Sequence, residues 1–168
     1  MATEIERKFL IRLPDSDAFP MCRVQAMPQT YLTNLPEDPG LERRVRKITE
    51  NGQVRYIRTE KRTISNVGAA VREENEWEIS AEEYASLLNE AYSTLDKVRR
   101  SFPYAGHTVE IDEYPYEIGG DALRGLAVLE IEMSSPDEKI TIPPFIEVIR
   151  ELTGTREFSN KSMAKRVK

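Results

Sequence analysis

The 168-residue sequence has one cysteine, Cys22, so no disulfide can form within the chain. That suits a reducing compartment, and the expected location is the cytoplasm. No stretch approaches the ~18 apolar residues of a membrane span. The N-terminus lacks an apolar signal core, because acids and bases begin at Glu4. There is no basic block, and the net charge is −5, which argues against non-specific nucleic-acid binding. The basic tail "KSMAKRVK" is short and reads as a solvated final helix. No glycine-rich loop of the phosphate-cradling kind is present, which excludes that route to phosphate binding. The single histidine, His107, sits in "AGHT" and reads as a turn residue. Internal repeats, low-complexity runs and interdomain linkers are all missing. One domain spanning residues 1–168 is expected, and a chain of this length can bury a core without covalent staples.

What the sequence does have is charge of both signs, 32% of its residues, placed with a period of two. "EIERKFLI" reads as a first strand and "TYLT" as a short second one. "LERRVRKI" and "VRYIRTEKR" flank Asn51-Gly52, a strong hairpin signal. "VREENEWEI", "DKVRRSF", "HTVEIDEY" and "AVLEIEM" follow, making about eight strands at barrel or sandwich spacing. "TISNVGAA" reads as a loop, and Asp121 to Leu126 as a short turn. Ser80 with Glu83 forms a capping-box pattern ahead of Tyr84, Leu87, Leu88 and Ala91 at helical spacing. Pro143 and Pro144 suggest a second helix carrying Phe145, Val148, Ile149 and Leu152, stopped by Gly154. A third, weaker helix is expected from Asn160 to the end. Trp77 lies on the apolar parity, where barrel–helix packing is expected.

The composition of the polar strand faces is unusual. Alternate side chains of a strand point to opposite faces. In "VLEIEM", Leu129, Ile131 and Met133 oppose Glu130 and Glu132. In "VEIDE", Val109 and Ile111 oppose Glu110 and Asp112. Glu4, Glu6 and Lys8 share a face, as do Arg44 and Arg46, Thr59 and Lys61, Arg72 with Glu74 and Glu76, and Lys97 with Arg99. Serine, threonine and amides are scarce on these faces. The amphipathic helices need the apolar strand faces to pack on, which directs the charged faces inward. A dry interior with so many ions would cost several kcal/mol per ion, so the lumen must be a wet tunnel. Acids there suit hard divalent cations, and bases suit phosphate oxygens. A metal–polyphosphate complex satisfies both.

These residues together resemble the CYTH superfamily, the triphosphate tunnel metalloenzymes. The resemblance starts from the ExExK pattern of Glu4, Glu6 and Lys8. It continues through "RVR" at Arg44–Arg46, "TEK" ending at Lys61, "REENE" from Arg72, "KVR" at Lys97–Arg99, "EID" at Glu110–Asp112 and "EIE" at Glu130–Glu132. It ends in the closing segment with Asn160, so it covers Glu4 to about Ala164. It implies an antiparallel eight-stranded β-barrel tunnel, helices packed outside, that acts on triphosphates with Mg²⁺ or Mn²⁺. The start "EIERKFL" is most similar to bacterial inorganic triphosphatases. Glu4, Glu6, Glu110, Asp112, Glu130 and Glu132 are the expected metal ligands. Lys8, Arg44, Arg46, Lys61, Arg72, Lys97 and Arg99 are the expected phosphate ligands. Glu74, Glu76, Lys97 and Tyr31, the last from "QTYL", are the candidates for catalysis, and the extra acid Glu78 shares the parity of Glu74 and Glu76. The expected partner is a small-molecule triphosphate, with no nucleic acid or membrane partner and a homodimer as the candidate assembly. Adenylate cyclase, thiamine triphosphatase and a non-catalytic polyphosphate or nucleotide binder are the alternatives.

Overall fold

The computed structural model describes residues 2–65, 70–115 and 124–167. Its strands are β1 (Ala2–Arg12), β2 (Arg23–Ala26), β3 (Gln29–Leu32), β4 (Glu42–Glu50), β5 (Gln53–Ser65), β6 (Ala70–Ile79), β7 (Ala91–Leu95), β8 (Val98–Tyr104), β9 (His107–Glu113), β10 (Leu126–Glu132), β11 (Val148–Glu151) and β12 (Lys165–Arg166). Eight of them close into an antiparallel barrel in the order β4-β2-β8-β9-β10-β1-β6-β5, with β5 returning to β4. β3 pairs with β4 beyond the point where β2 leaves it, and carries β7 and β12 outward.

The local signals explain much of this. Asn51 and Gly52 both take positive φ, 52° and 77°, the geometry a two-residue hairpin needs. The Ser80 hydroxyl accepts from the Glu83 amide at 3.0 Å and starts helix α1 (Ala81–Leu87). α1 is shorter than its periodicity suggests. Leu88–Glu90 tightens into a 3₁₀ turn and Ala91 opens β7, leaving Leu88 exposed. Trp77 is not helix packing: it is 39% exposed, with the Arg58 guanidinium 5.2 Å from its ring centroid.

The second expected helix does not form. Val148–Glu151 is instead β11, antiparallel to β1 at Phe9–Ile11. β6 covers that edge of β1 only from Ala2 to Glu6, so the remaining N–H and C=O groups need a new partner. The β-branched Val148 and Ile149 suit an extended chain. The third helix shrinks to α2 (Asn160–Met163), capped by Ser159, before β12 begins. Of the loop expected in "TISNVGAA", Thr63–Ser65 belong to β5 and Ala70 to β6, and residues 66–69 lie outside the described residues. Of the turn expected from Asp121 to Leu126, residues 121–123 lie outside them, 124 and 125 form a turn and Leu126 opens β10.

The charged faces do turn inward, although helices are not the reason. The outer apolar faces of β1, β8, β9 and β10 form a core around Phe9, Ile11, Ile111, Leu129 and Ile131. Irregular segments cover it with Leu13, Phe19, Ile140, Ile142 and Phe145. Among the described residues no helix is long and apolar enough to cross a membrane.

Candidate active site

The lumen is a cavity of about 910 Å³. Its walls follow from the strand register. Glu6 lies opposite Glu132, and Lys8 opposite Glu130, across β1 and β10. Glu130 lies opposite Glu110 across β10 and β9. Glu4, Glu6, Glu110, Glu130 and Glu132 thus form one acidic wall. In a ring of eight, β4 stands diametrically across from β10, and it contributes Arg44 and Arg46. The acids and two of the main cations therefore face each other across the lumen.

Most lumen cations already hold a carboxylate. Lys61 Nζ lies 2.9 Å from Glu4 and 3.2 Å from Glu74. Arg72 lies within 3.6–3.8 Å of Glu4, Glu6 and Glu42. Arg46 donates to Glu76 at 2.8 Å, and the Thr59 hydroxyl donates to the same oxygen at 2.9 Å. Lys8 stands 3.5 Å from Glu130. Arg44 differs. It is 7% exposed, makes no ion pair among the described residues, and its Nε has no hydrogen-bond partner. Burial opposes its charge, but Tyr31, Glu42, Glu4 and Glu76 at longer range hold the guanidinium charged, so Arg44 keeps hydrogen-bonding capacity for an incoming anion. Tyr31 lies beside it in the β3–β4 register and accepts a hydrogen bond from Gln29 at 2.7 Å.

The acids are electrostatically divided. Burial, then Glu130 and Glu4, push the Glu6 carboxyl up to about 8. Burial, then Glu110, Glu4 and Glu74, raise Glu132 to about 6. Burial also opposes the charge on Glu4, but Lys61 and Arg72 overcome it and hold that carboxyl at about 2. Opposed acids at Glu6–Glu132 and Glu110–Glu130 are the like-charge pairs that destabilise a sheet unless a cation lies between them.

Fourteen of the expected site residues are brought together around the lumen: Glu4, Glu6, Lys8, Tyr31, Arg44, Arg46, Lys61, Arg72, Glu74, Glu76, Arg99, Glu110, Glu130 and Glu132. Lys97 and Asp112 do not line the cavity. Both carboxylate oxygens of Asp112 are engaged behind the wall, Oδ1 by Arg99 Nε at 2.7 Å and Oδ2 by Lys97 at 2.9 Å and Arg99 Nη2 at 2.8 Å. Burial opposes the charge on Asp112, yet Arg99 and Lys97 lower its carboxyl below the usual value. Burial in turn lowers Lys97 to about 7 despite Asp112. Asp112 therefore anchors Arg99, which also reaches Glu110 at 3.0 Å. Glu78 is exposed and lies beside the β4–β5 hairpin rather than with the lumen acids.

Three features were missed from the sequence. Glu42 lines the lumen and faces Arg72; its parity with Arg44 and Arg46 is a signal that could have found it. Met27, Ile48 and Ile57 form a buried apolar patch in the same cavity. The C-terminal stretch from Leu152 to Ser162 also lines it. Strand parity also puts Ile48 with Arg44 and Arg46, and Ile57 with Thr59 and Lys61; no local pattern announces the C-terminal stretch.

Among solved structures, the chain is similar to the inorganic triphosphatase NE1496, with 27% identity and a TM-score of 0.56 over 98% of this chain and 95% of that one. It also shares the fold of the PH1819 protein from Pyrococcus horikoshii OT3, with 20% identity and a TM-score of 0.61 over 79% and 78% of the two chains. HpAC1 from Hippeastrum, described as an adenylyl cyclase candidate with a dominant triphosphatase activity, shares the fold with 17% identity and a TM-score of 0.52 over 79% and 81%. No family model and no curated protein sequence matches the chain. The closed eight-stranded barrel with its charged lumen is the fold that the resemblance to the CYTH superfamily implies. The chain is similar to an inorganic triphosphatase over nearly its whole length.

Proposed function

We propose that the whole chain is one tunnel domain that hydrolyses inorganic triphosphate to pyrophosphate and phosphate, with Mg²⁺ or Mn²⁺. The observation that carries this reading is Arg44, a buried, charged guanidinium that makes no ion pair among the described residues and faces a wall of carboxylates across the lumen. An anion satisfies Arg44, and a cation relieves the acidic wall; a metal–triphosphate complex does both. The likeness to the inorganic triphosphatase NE1496 supports the choice of substrate.

The residues fit a divalent cation. Hard carboxylate oxygens are the donors such ions take, and the opposed pairs Glu6–Glu132 and Glu110–Glu130 supply them. Among the described residues, no three acids are already gathered at coordination geometry, because several are held by Lys61, Arg72 and Lys8. Glu4, Glu6, Glu110, Glu130 and Glu132 are the residues that would hold the ion. A bound cation would neutralise phosphoryl oxygens and make a water more acidic.

The chain's own side chains do the positioning that phosphoryl transfer chiefly needs. Arg44, Arg46, Lys61, Arg72 and Arg99 hold non-bridging oxygens and steady the leaving pyrophosphate. Glu74 and Glu76 keep Lys61 and Arg46 aimed into the lumen. The oxygen of a water bonds to the terminal phosphorus as the bond to the pyrophosphate oxygen breaks, and the proton leaves through a lumen carboxylate. Phosphate release from inorganic triphosphate, ATP and thiamine triphosphate at the same pH and metal tests the proposal. A higher kcat/KM for inorganic triphosphate, by roughly ten- to a hundredfold over ATP, is expected, because the sugar and base leave a charge-assisted contact unmade.

A second reading rests on the Met27–Ile48–Ile57 patch. These side chains are only 3–6% exposed in an otherwise charged lumen, and they suit the apolar body of an organic triphosphate. Equal or better efficiency with ATP or thiamine triphosphate, or cyclic AMP among the products, would establish that reading instead.

A further inference from the structure

We propose that the C-terminal strap, residues 152–162, carries an additional phosphate subsite at Arg156 and Lys161. It receives the outer phosphoryl groups of linear polyphosphates longer than triphosphate. This rests on the tunnel being a triphosphate site, and extends its ligand class by chain length.

The strap is part of the wall of the same cavity, and both cations line it. It is fixed at several points. The Leu152 amide donates to the Lys8 carbonyl at 2.7 Å, and the Lys8 amide donates to the Thr153 hydroxyl at 2.9 Å. Further along, the Tyr114 hydroxyl donates to Asn160 Oδ1 at 2.5 Å. β12 then pairs with β7. Gly154 and Phe158, both at positive φ, turn the chain between these anchors. Arg156 and Lys161 are thus displayed by a held segment.

Their electrostatic condition sets them apart. Lys8, Arg46, Lys61, Arg72 and Arg99 each have a carboxylate within 4.0 Å, so an incoming phosphate must displace it. Arg156 and Lys161 make no side-chain ion pair or hydrogen bond among the described residues, and both are exposed. The one acid between them, Glu157, is taken up by Arg150. The strap therefore presents net positive charge to the cavity with nothing to exchange. It starts at the backbone of Lys8, whose ammonium, like the Arg44 guanidinium, acts electrostatically on Tyr31. Arg156 and Lys161 thus share one cavity wall with the lumen cations. A polyphosphate seated among Arg44, Arg46 and Lys8 would run its next phosphates toward the strap.

The test compares linear triphosphate and pentaphosphate, in calorimetric binding and in kcat/KM with Mg²⁺, for the intact chain and the double variant Arg156→Gln/Lys161→Gln. The intact chain should bind pentaphosphate more tightly than triphosphate. The double variant should lose about tenfold in pentaphosphate affinity beyond any loss for triphosphate, since exposed charge pairs each contribute up to a few-fold. The charge-conserving pair Arg156→Lys/Lys161→Arg should restore the preference. An unchanged pentaphosphate-to-triphosphate ratio in the double variant, with triphosphate still bound, overturns the strap subsite alone. Failure of the intact chain to bind either compound overturns the tunnel reading, and the subsite with it.

Discussion

Glu6 of β1 and Glu132 of β10 stand directly opposite one another in an antiparallel register, both facing the lumen. Neighbouring carboxylates on paired strands repel, and burial adds to the cost of charging them. Glu6 is held at about 8 and Glu132 at about 6, above the ~4.3 of a glutamate in an unfolded chain. The folded protein therefore keeps protons that the unfolded chain releases, and its stability falls as pH rises through this range. Between pH 5 and 7 the buried Glu6 alone should cost the metal-free protein roughly 2.5 kcal/mol, on the order of 5–10 °C in Tm, while solvent screening keeps the contribution of the exposed Glu132 small. Above pH 7 Lys97, lowered to about 7, works in the other direction. Thermal scans from pH 5 to 7 check this, and Glu6→Gln should remove most of the slope. A flat profile in the unsubstituted protein would show that the two acids are not crowded.

Glu4→Gln should abolish metal-dependent turnover while the protein still folds. Burial opposes the charge on Glu4, but Lys61 and Arg72 keep it ionised, so it is available as a charged oxygen ligand at any ordinary pH. A drop in kcat of at least a hundredfold is expected, about 2.7 kcal/mol of transition-state stabilisation. Activity in Mg²⁺ equal to that of the unsubstituted enzyme would remove Glu4 from the site.

Triphosphate with Ca²⁺ should raise the melting temperature. Binding to the folded state alone stabilises by mass action, about 2.7 kcal/mol at a hundredfold excess over Kd, or on the order of 5–10 °C for a chain of this size. Differential scanning fluorimetry with triphosphate, Ca²⁺ and both together separates the contributions. The combination should exceed the sum of the two alone, because each ligand neutralises a wall that repels its own kind. No shift in any arm would argue against a tunnel site.

Asp112→Ala should act chiefly through stability. It leaves Lys97 and Arg99 buried without their common partner, a loss expected to reach about 3–5 kcal/mol. Asp112→Asn keeps the shape and should cost less. If Asp112 were a direct metal ligand, Asp112→Asn would instead weaken Mg²⁺ binding as much as Glu4→Gln does while sparing the melting temperature. Parallel Tm and metal titrations distinguish the two.

The readable parts of the site share one property: they alternate. Glu4/Glu6/Lys8, Arg44/Arg46 and Glu130/Glu132 are each visible because a strand puts every second residue on one face. The acid–base character of those faces is unusual enough to imply a wet interior. Asn51-Gly52 and Ser80/Glu83 are readable because a turn and a cap are set by the residues that make them. Asp112 shows where parity stops helping. It has the same alternation as Glu110, yet lies behind the wall because two long cations, Lys97 and Arg99, converge on it from β8 and the residue preceding it. The segment after Pro144 shows the same limit for secondary structure. Its spacing fits a helix, but β1 has an edge left open beyond β6, and pairing there wins.

The sequence by itself determined the strand periodicity, the main hairpin, the first helix cap and the sorting of charge from apolar surface, since each depends on residues a few positions apart. Tertiary structure alone decided which charges meet. Glu6 faces Glu132, and Lys61 finds Glu4, across separations of more than fifty residues set by barrel closure. Closure also left Arg44 without an ion pair among the described residues, brought Met27 to Ile48 and Ile57, and laid the C-terminal strap along the cavity. Electrostatic pairing falls off within a few ångströms while the chain brings distant segments together, so the state of each lumen charge is a property of the closed barrel.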